Sequence, residues 1–148
     1  MTAITADERA ELVRRAGEAR RSAYAPYSGF PVGAAVLTGS GAIYPGANVE
    51  NAAYPSGICA ERAAVFYAIS QGEREVRAVA VVNASGGTPC GSCRQVISEF
   101  GPQARVIVAD KDGRVVREAD LSELLPYAFG AGDLPPKDQS TSRDRGPL

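Results

Sequence analysis

Residues 78–109 read AVAVVNASGGTPCGSCRQVISEFGPQARVIVA, two short apolar runs flanking one helix-length segment. Ala78–Asn83 and Arg105–Ala109 are rich in Val and Ile, and runs of this kind, continuous rather than alternating, suit strands buried on both faces of a sheet. Cys90–Phe100 between them is expected to be helical. A strand, a crossover helix and a second strand form a βαβ unit, so the fold class is read as α/β.

Upstream, Thr5-Ala6-Asp7-Glu8 has capping-box spacing and opens an amphipathic helix with Leu12, Ala16 and Ala19 on one face, running to about Ser22. Gly33–Thr38 and Ala42–Asn48 flank a Gly-Ser-Gly segment and read as a hairpin, with Pro45-Gly46 expected to bulge or bend the second strand. Cys59–Gln71 is Ala-rich, apolar around most of its circumference and followed by Gly72, which predicts a buried helix. Downstream, Asp110-Lys111-Asp112-Gly113 reads as a turn before a short strand at Arg114–Arg117, and a last short helix is expected over Leu121–Leu125. From Gly130 onward Pro, Asp, Ser and Arg dominate without apolar periodicity. One folded domain over 1–134 and a disordered tail over 135–148 are therefore expected.

The length of 148 residues suits one domain with a sizeable core. Sixteen Lys and Arg against seventeen Asp and Glu give a formal charge of −1, and their interspersion offers no basic stripe for a phosphate backbone, which argues against a nucleic-acid partner. No long apolar run or signal-peptide pattern is present, so no membrane association is expected. Three cysteines leave one unpaired in any disulfide scheme, which favours a reduced, cytoplasmic location.

All three cysteines lie in two motifs, Cys59-Ala60-Glu61 and Pro89-Cys90-Gly91-Ser92-Cys93, and the chain has no histidine. A catalytic zinc keeps three protein ligands and a fourth position open to water. Cys90 and Cys93 are spaced to reach one ion, Cys59 would complete the set, and Glu61 would remain free to handle protons. The alternatives are a closed structural zinc site, for which a fourth Cys or His is missing, and a redox Cys-x-x-Cys pair, which leaves Cys59 unexplained. Both motifs fall at predicted helix starts, where unpaired N–H groups and the macrodipole favour thiolates. Three thiolates on Zn²⁺ total −1, and ionising a bound water makes the centre more negative, so a nearby cation such as Arg62 is needed. Arg94 is a weaker candidate, because an arginine in a helical first turn is usually a solvated charge.

Three cysteine ligands, a glutamate two positions after the first and a later P-C-x-x-C form the combination found in nucleobase deaminases. Cys59-Ala60-Glu61-Arg62 with Pro89-Cys90-Gly91-Ser92-Cys93-Arg94-Gln95 resembles the signature of the small homotetrameric, zinc-dependent cytidine deaminases. Tyr24–Ala35 (YAPYSGFPVGAA), Asn48–Tyr54 (NVENAAY), and Leu124-Leu125-Pro126 with Phe129 look like further segments of that family in the expected order. The resemblance spans about residues 8–134. It implies a three-layer α/β/α sandwich around a mixed, roughly five-stranded sheet, with one zinc per chain on Cys59, Cys90 and Cys93. It also implies proton transfer by Glu61, and charge withdrawal from the ligand sulfurs by Arg62. Asn48 and Glu50 would bind the ribose 3′-OH, and Phe30 and Phe129 would line the pyrimidine pocket. The Ala60 backbone would contact the ring. Phe129, Ala52 and Tyr54 would act across a subunit boundary of a homotetramer. Ser92 stands where alanine is common in the family, a change that should be tolerated.

These features predict hydrolytic deamination of cytidine and deoxycytidine to uridine and deoxyuridine in pyrimidine salvage. Zinc lowers the pKa of a bound water toward about 7 in favourable sites, and one carboxylate, Glu61, can take its proton and return it to ring N3 and to the departing ammonia. Asn48 and Glu50, two apart at a strand end, share a face and suit a sugar hydroxyl. The alternatives are a deaminase of another aminated heterocycle, such as a blasticidin-type nucleoside antibiotic, and a non-catalytic zinc-stabilised binding module.

Overall fold

In the computed structural model, which describes residues 3–137, the first helix starts at the predicted box. The Thr5 hydroxyl accepts the Glu8 N–H at 3.1 Å, and the Glu8 carboxylate accepts the Thr5 N–H at 2.8 Å. Two of the helix's orphan donors are thereby satisfied. Helix α1 (Ala6–Arg20) buries Leu12 and Ala16 completely. It stops two residues before the expected Ser22, where the Ser22 N–H turns back to Ala19 O.

Five strands form one mixed sheet in the order β2-β1-β3-β4-β5. Strands β1 (Gly33–Thr38) and β2 (Ile43–Ala47) are the predicted antiparallel hairpin. Strand β1 also pairs antiparallel with β3 (Val76–Val82), and β3 runs parallel to β4 (Arg105–Ala109). Helix α3 (Gly91–Phe100) makes that crossover, as the βαβ reading requires. Strand β5 (Val115–Asp120) closes the far edge antiparallel to β4, starting one residue later and ending three residues later than the expected Arg114–Arg117. Helices α2 (Ala60–Ser70) and α4 (Leu121–Leu124) complete the chain's α-helices among the described residues. The expected tail disorder concerns residues that, from 138 onward, lie outside the described ones.

Alternate residues of β1 and β3 feed two cores, one on each sheet face. Ala35, Leu37, Ala78, Ala80 and Val82 meet Leu12 and Ala16 of α1 on one side. Ala34, Val36, Val79 and Val81 meet α2 residues Ala64, Val65 and Ala68 with Ile97 of α3 on the other. The result is the expected α/β/α layering, with every residue of β1 buried. Among the described residues no helix is long and apolar enough to cross a membrane.

The anticipated bulge at Pro45-Gly46 is absent: Pro45 pairs with Ala35 and Gly46 with Ala34 in unbroken register. Proline is accommodated because β2 is an outer strand, where a missing N–H breaks no inner ladder. Register shifts fall instead between Leu37 and Thr38 and between Val108 and Ala109. Gly46 answers a packing demand, since a Cβ there would lie 2.4 Å from Ala64 N and 2.6 Å from Ala60 O. Helix α2 therefore rests directly on the β2 backbone, and this contact sets the height of the residues at its start.

Candidate active site

Cys59 and Cys90 are the N-cap residues of α2 and α3, both extended and without a side-chain cap hydrogen bond. Their helices lie side by side on one sheet face, so two N-termini with partial positive charge converge on the same point. Cys93, one turn into α3, is fully buried. The three sulfurs lie within 4.8 Å of one another, with Cys59–Cys90 at 4.0 Å and Cys90–Cys93 at 3.5 Å.

This donor set fits zinc. A Zn–S bond of about 2.3 Å in tetrahedral geometry sets sulfurs about 3.8 Å apart, and the two measured separations bracket that value. Three thiolates fill three of four tetrahedral positions, and no further Cys, Asp or Glu joins the cluster among the described residues. A hydrogen bond from the Cys93 thiol, set against partial burial and aided by Arg62, pulls the Cys59 pKa down to about 5. The same hydrogen bond, reinforced by burial and the nearby Glu61, pushes the Cys93 thiol up. A dication bound here would take the place of the proton that Cys93 retains.

Glu61, the second residue of α2, is 5% exposed. Burial is the main reason its carboxyl is raised above the ordinary range, and the Cys59 charge adds to it. Such a carboxyl exchanges protons near neutrality more readily than an exposed one. Arg62 donates from Nη2 to Cys59 Sγ at 3.5 Å. That bond also raises the guanidinium pKa, so the cation is fixed beside the cluster.

A cleft of about 490 Å³ opens beside this cluster, lined by residues that include Tyr27, Ser28, Asn48, Glu50, Tyr54 and Cys59. Asn48 and Glu50 lie just past β2, on either side of Val49, which bridges to both Tyr24 and Ile58. Glu50 accepts the Tyr27 and Ser28 N–H groups at 2.9 and 3.0 Å and the Ser28 hydroxyl. These donors, the Ser28 hydroxyl foremost, hold its carboxyl below the usual range. Asn48 accepts the Val32 N–H at 2.8 Å and donates to Phe30 O at 2.9 Å, which leaves one amide proton and one lone pair for a ligand. The amide thus anchors the Phe30 segment as well as facing the cleft.

Of the other residues singled out in the sequence, Ala60 is buried as the first residue of α2 and Ala52 is exposed on the loop after Glu50. Tyr54 is 75% exposed at the rim, edge-on to Tyr27 with ring centroids 5.7 Å apart. Phe30 does not line the cleft; it is 39% exposed, and its backbone N–H donates to Ser28 Oγ at 3.1 Å. Phe129 does not line the cleft of its own chain; it is 59% exposed, and its carbonyl accepts from Gln95. Sequence reasoning missed Tyr27 and Ser28, although both lie within the Tyr24–Ala35 segment and Ser28 precedes Gly29, a left-handed turn residue at φ 63°.

Arg94, expected as a solvated charge, is instead half-buried and makes three hydrogen bonds: Nε to Pro89 O and Nη1 to Leu124 O, both at 2.8 Å, and Nη2 to Thr88 Oγ1 at 3.0 Å.

Residues 6–109 match the profile of the family described as the cytidine and deoxycytidylate deaminase zinc-binding region. The cytidine deaminase of Sporosarcina psychrophila is 45% identical over 126 residues, covering 84% of this chain and 93% of that protein. That of Halalkalibacterium halodurans is 46% identical, covering 86% and 98%. The crystal structure of cytidine deaminase from Burkholderia pseudomallei superposes with a TM-score of 0.76 at 44% identity, covering 85% of this chain and all of that one. With its cysteine cluster, buried glutamate and mixed five-stranded sheet, the chain belongs to the zinc-dependent cytidine deaminase family.

Proposed function

We propose that the chain hydrolyses cytidine and deoxycytidine to uridine and deoxyuridine, releasing ammonia. The observation that carries this reading is the cluster of three zinc-suited sulfurs, with the buried Glu61 two residues after Cys59, at a cleft that Cys59 and Glu50 both line. Cys59, Cys90 and Cys93 would hold the zinc, which would supply Lewis acidity to the attacking water.

Glu61 accepts the proton that water loses as its oxygen bonds to C4, and then delivers it to N3. A second proton passes by the same carboxyl to the amino group as the C4–N bond breaks, so water and cytidine leave as uridine and ammonia. Glu50, its carboxyl kept below the usual range by the Ser28 hydroxyl and by the Ser28 and Tyr27 N–H groups, accepts the ribose 3′-OH, and Asn48 offers its spare amide proton to the same oxygen. Phe30 packs on the ring and the Ala60 backbone meets its polar edge. Arg62 is the one Lys or Arg lining the cleft among the described residues, and it is turned to Cys59. The cleft therefore favours an uncharged nucleoside over a phosphorylated one.

Residues 1–134 form the deaminase domain in this reading. Tyr54 and Phe129 stand exposed where a second copy can use them, which supports a homotetramer with Ala52, Tyr54 and Phe129 reaching into neighbouring sites. Cysteines that form no disulfide and the nucleoside substrate fit a cytoplasmic enzyme of pyrimidine salvage.

The test is ultraviolet loss of cytidine on adding zinc-loaded protein, beside Glu61→Gln at matched zinc content. Conversion to uridine by the native chain, with a loss of about 10²–10⁴-fold or more in the variant, is expected. Full zinc occupancy without conversion of either nucleoside overturns the substrate assignment, and a near-normal rate in Glu61→Gln overturns the proton shuttle.

A further inference from the structure

Arg94 follows Cys93 directly and sits in the first turn of α3, yet no carboxylate pairs with it among the described residues. Its guanidinium is committed to three neutral acceptors on two separate segments. Two of them, Thr88 Oγ1 and Pro89 O, belong to the loop that delivers Cys90. The third, Leu124 O, is the last carbonyl of α4, thirty residues on in sequence. A planar fork of fixed N–H directions can satisfy three such acceptors together, and an ammonium on a flexible stem cannot reproduce that geometry. Next to it, Gln95 Nε2 donates to Phe129 O at 2.8 Å. Consecutive residues of α3 thus hold both ends of the Leu124–Phe129 segment.

We propose that Arg94 is a positioning residue that fixes the Cys90 loop for zinc and, with Gln95, registers the Leu124–Phe129 segment to the same helix. The loop before Cys90 is tied at Gly87 by the Asn83 side chain, but the Cys90 N-cap has no side-chain hydrogen bond of its own, and Arg94 is what holds Thr88 and Pro89 between these two points. Arg94 supplies the missing constraint from inside the helix, and its demand for Leu124 O means that the metal loop and the C-terminal segment move as one. The consequence for zinc stands independently of the substrate. The consequence for Phe129 rests on the nucleoside reading given above.

The experiment compares holo native protein with Arg94→Ala, Arg94→Lys and Gln95→Ala. The rate of zinc transfer to a colorimetric chelator and the separate kcat and KM for cytidine are both measured. Arg94→Ala is expected to lose zinc about 10–100-fold faster, as removal of an outer hydrogen-bonding partner does at other metal sites, and millimolar guanidinium ion should slow that loss again. Arg94→Lys keeps charge and stem and should fold, yet it should also lose zinc faster than native protein. Gln95→Ala should raise KM with zinc release unchanged. Native zinc release in Arg94→Lys, or fast release in Arg94→Ala that guanidinium does not slow, overturns the proposal. Failure of native protein to deaminate cytidine would overturn the substrate reading instead and leave the zinc-release comparison intact.

Discussion

Val49 and Ile58 exchange two backbone hydrogen bonds, at 3.0 and 2.9 Å, across a single isolated bridge. Because Ile58 precedes Cys59 and Val49 lies between Asn48 and Glu50, this one pair sets Asn48 and Glu50 against the start of α2 and its cysteine. Glu50 then has its carboxylate oriented by Tyr27 and Ser28 before any ligand arrives.

Glu50→Ala should raise KM for cytidine by about tenfold or more, since a hydrogen bond to a charged group contributes about 1.5–3 kcal/mol. The depressed carboxyl pKa means that Glu50 stays ionised well into acid. The KM of the native chain should therefore stay flat from about pH 8 to pH 5. A KM that climbs steeply over that window, or equal kinetics for the variant, would contradict this role.

Arg62→Ala removes the one side-chain nitrogen that donates to Cys59 among the described residues. Losing a charge-assisted hydrogen bond of this kind should cost about 10–100-fold in kcat, with a smaller effect on the unfolding midpoint of the zinc-loaded protein. Unchanged turnover at full zinc occupancy would sink it.

Zinc uptake should release protons at pH 7, that of Cys93 among them, because its thiol is pushed up whereas Cys59 at about 5 is already a thiolate. An indicator dye in weak buffer reads the release, and Cys93→Ala should diminish it. Uptake without acidification would show all three sulfurs to be ionised beforehand.

Glu8 caps α1 and pairs with Arg77 of β3 at 3.0 Å, and both the Thr5 N–H and Arg77 lower its carboxyl pKa, the N–H most. A depressed carboxyl pKa stabilises the fold above the unfolded value, and that contribution fades as pH falls through the folded value. Glu8→Gln should therefore lower the melting temperature at pH 7, and the gap should close well below pH 4.5. A gap that persists undiminished in strong acid would refute the ionic origin.

Sequence separation explains what could be read in advance. The Thr5–Glu8 cap, the β1–β2 hairpin and the cysteines at two helix starts are local patterns, and each lies where the sequence places it. Strand β5 extends past Arg117 because Arg105 of β4 lies opposite Asp120 and near Glu118, a pairing no local window reveals. Arg94 looked like a surface charge because its acceptor Leu124 O becomes its neighbour only after β4 and β5 have formed. Ser28 was passed over for the same reason, its partner Glu50 being twenty-two residues away.

Pro45 has a consequence for association. A sheet's outer strand is a template on which another chain can add a strand, and a residue without an N–H interrupts that template midway. Glu118 and Asp120, with Arg117, place charges along the opposite rim. Copies of this chain are thus steered away from ribbon-like stacking and fibril growth at both edges of the sheet.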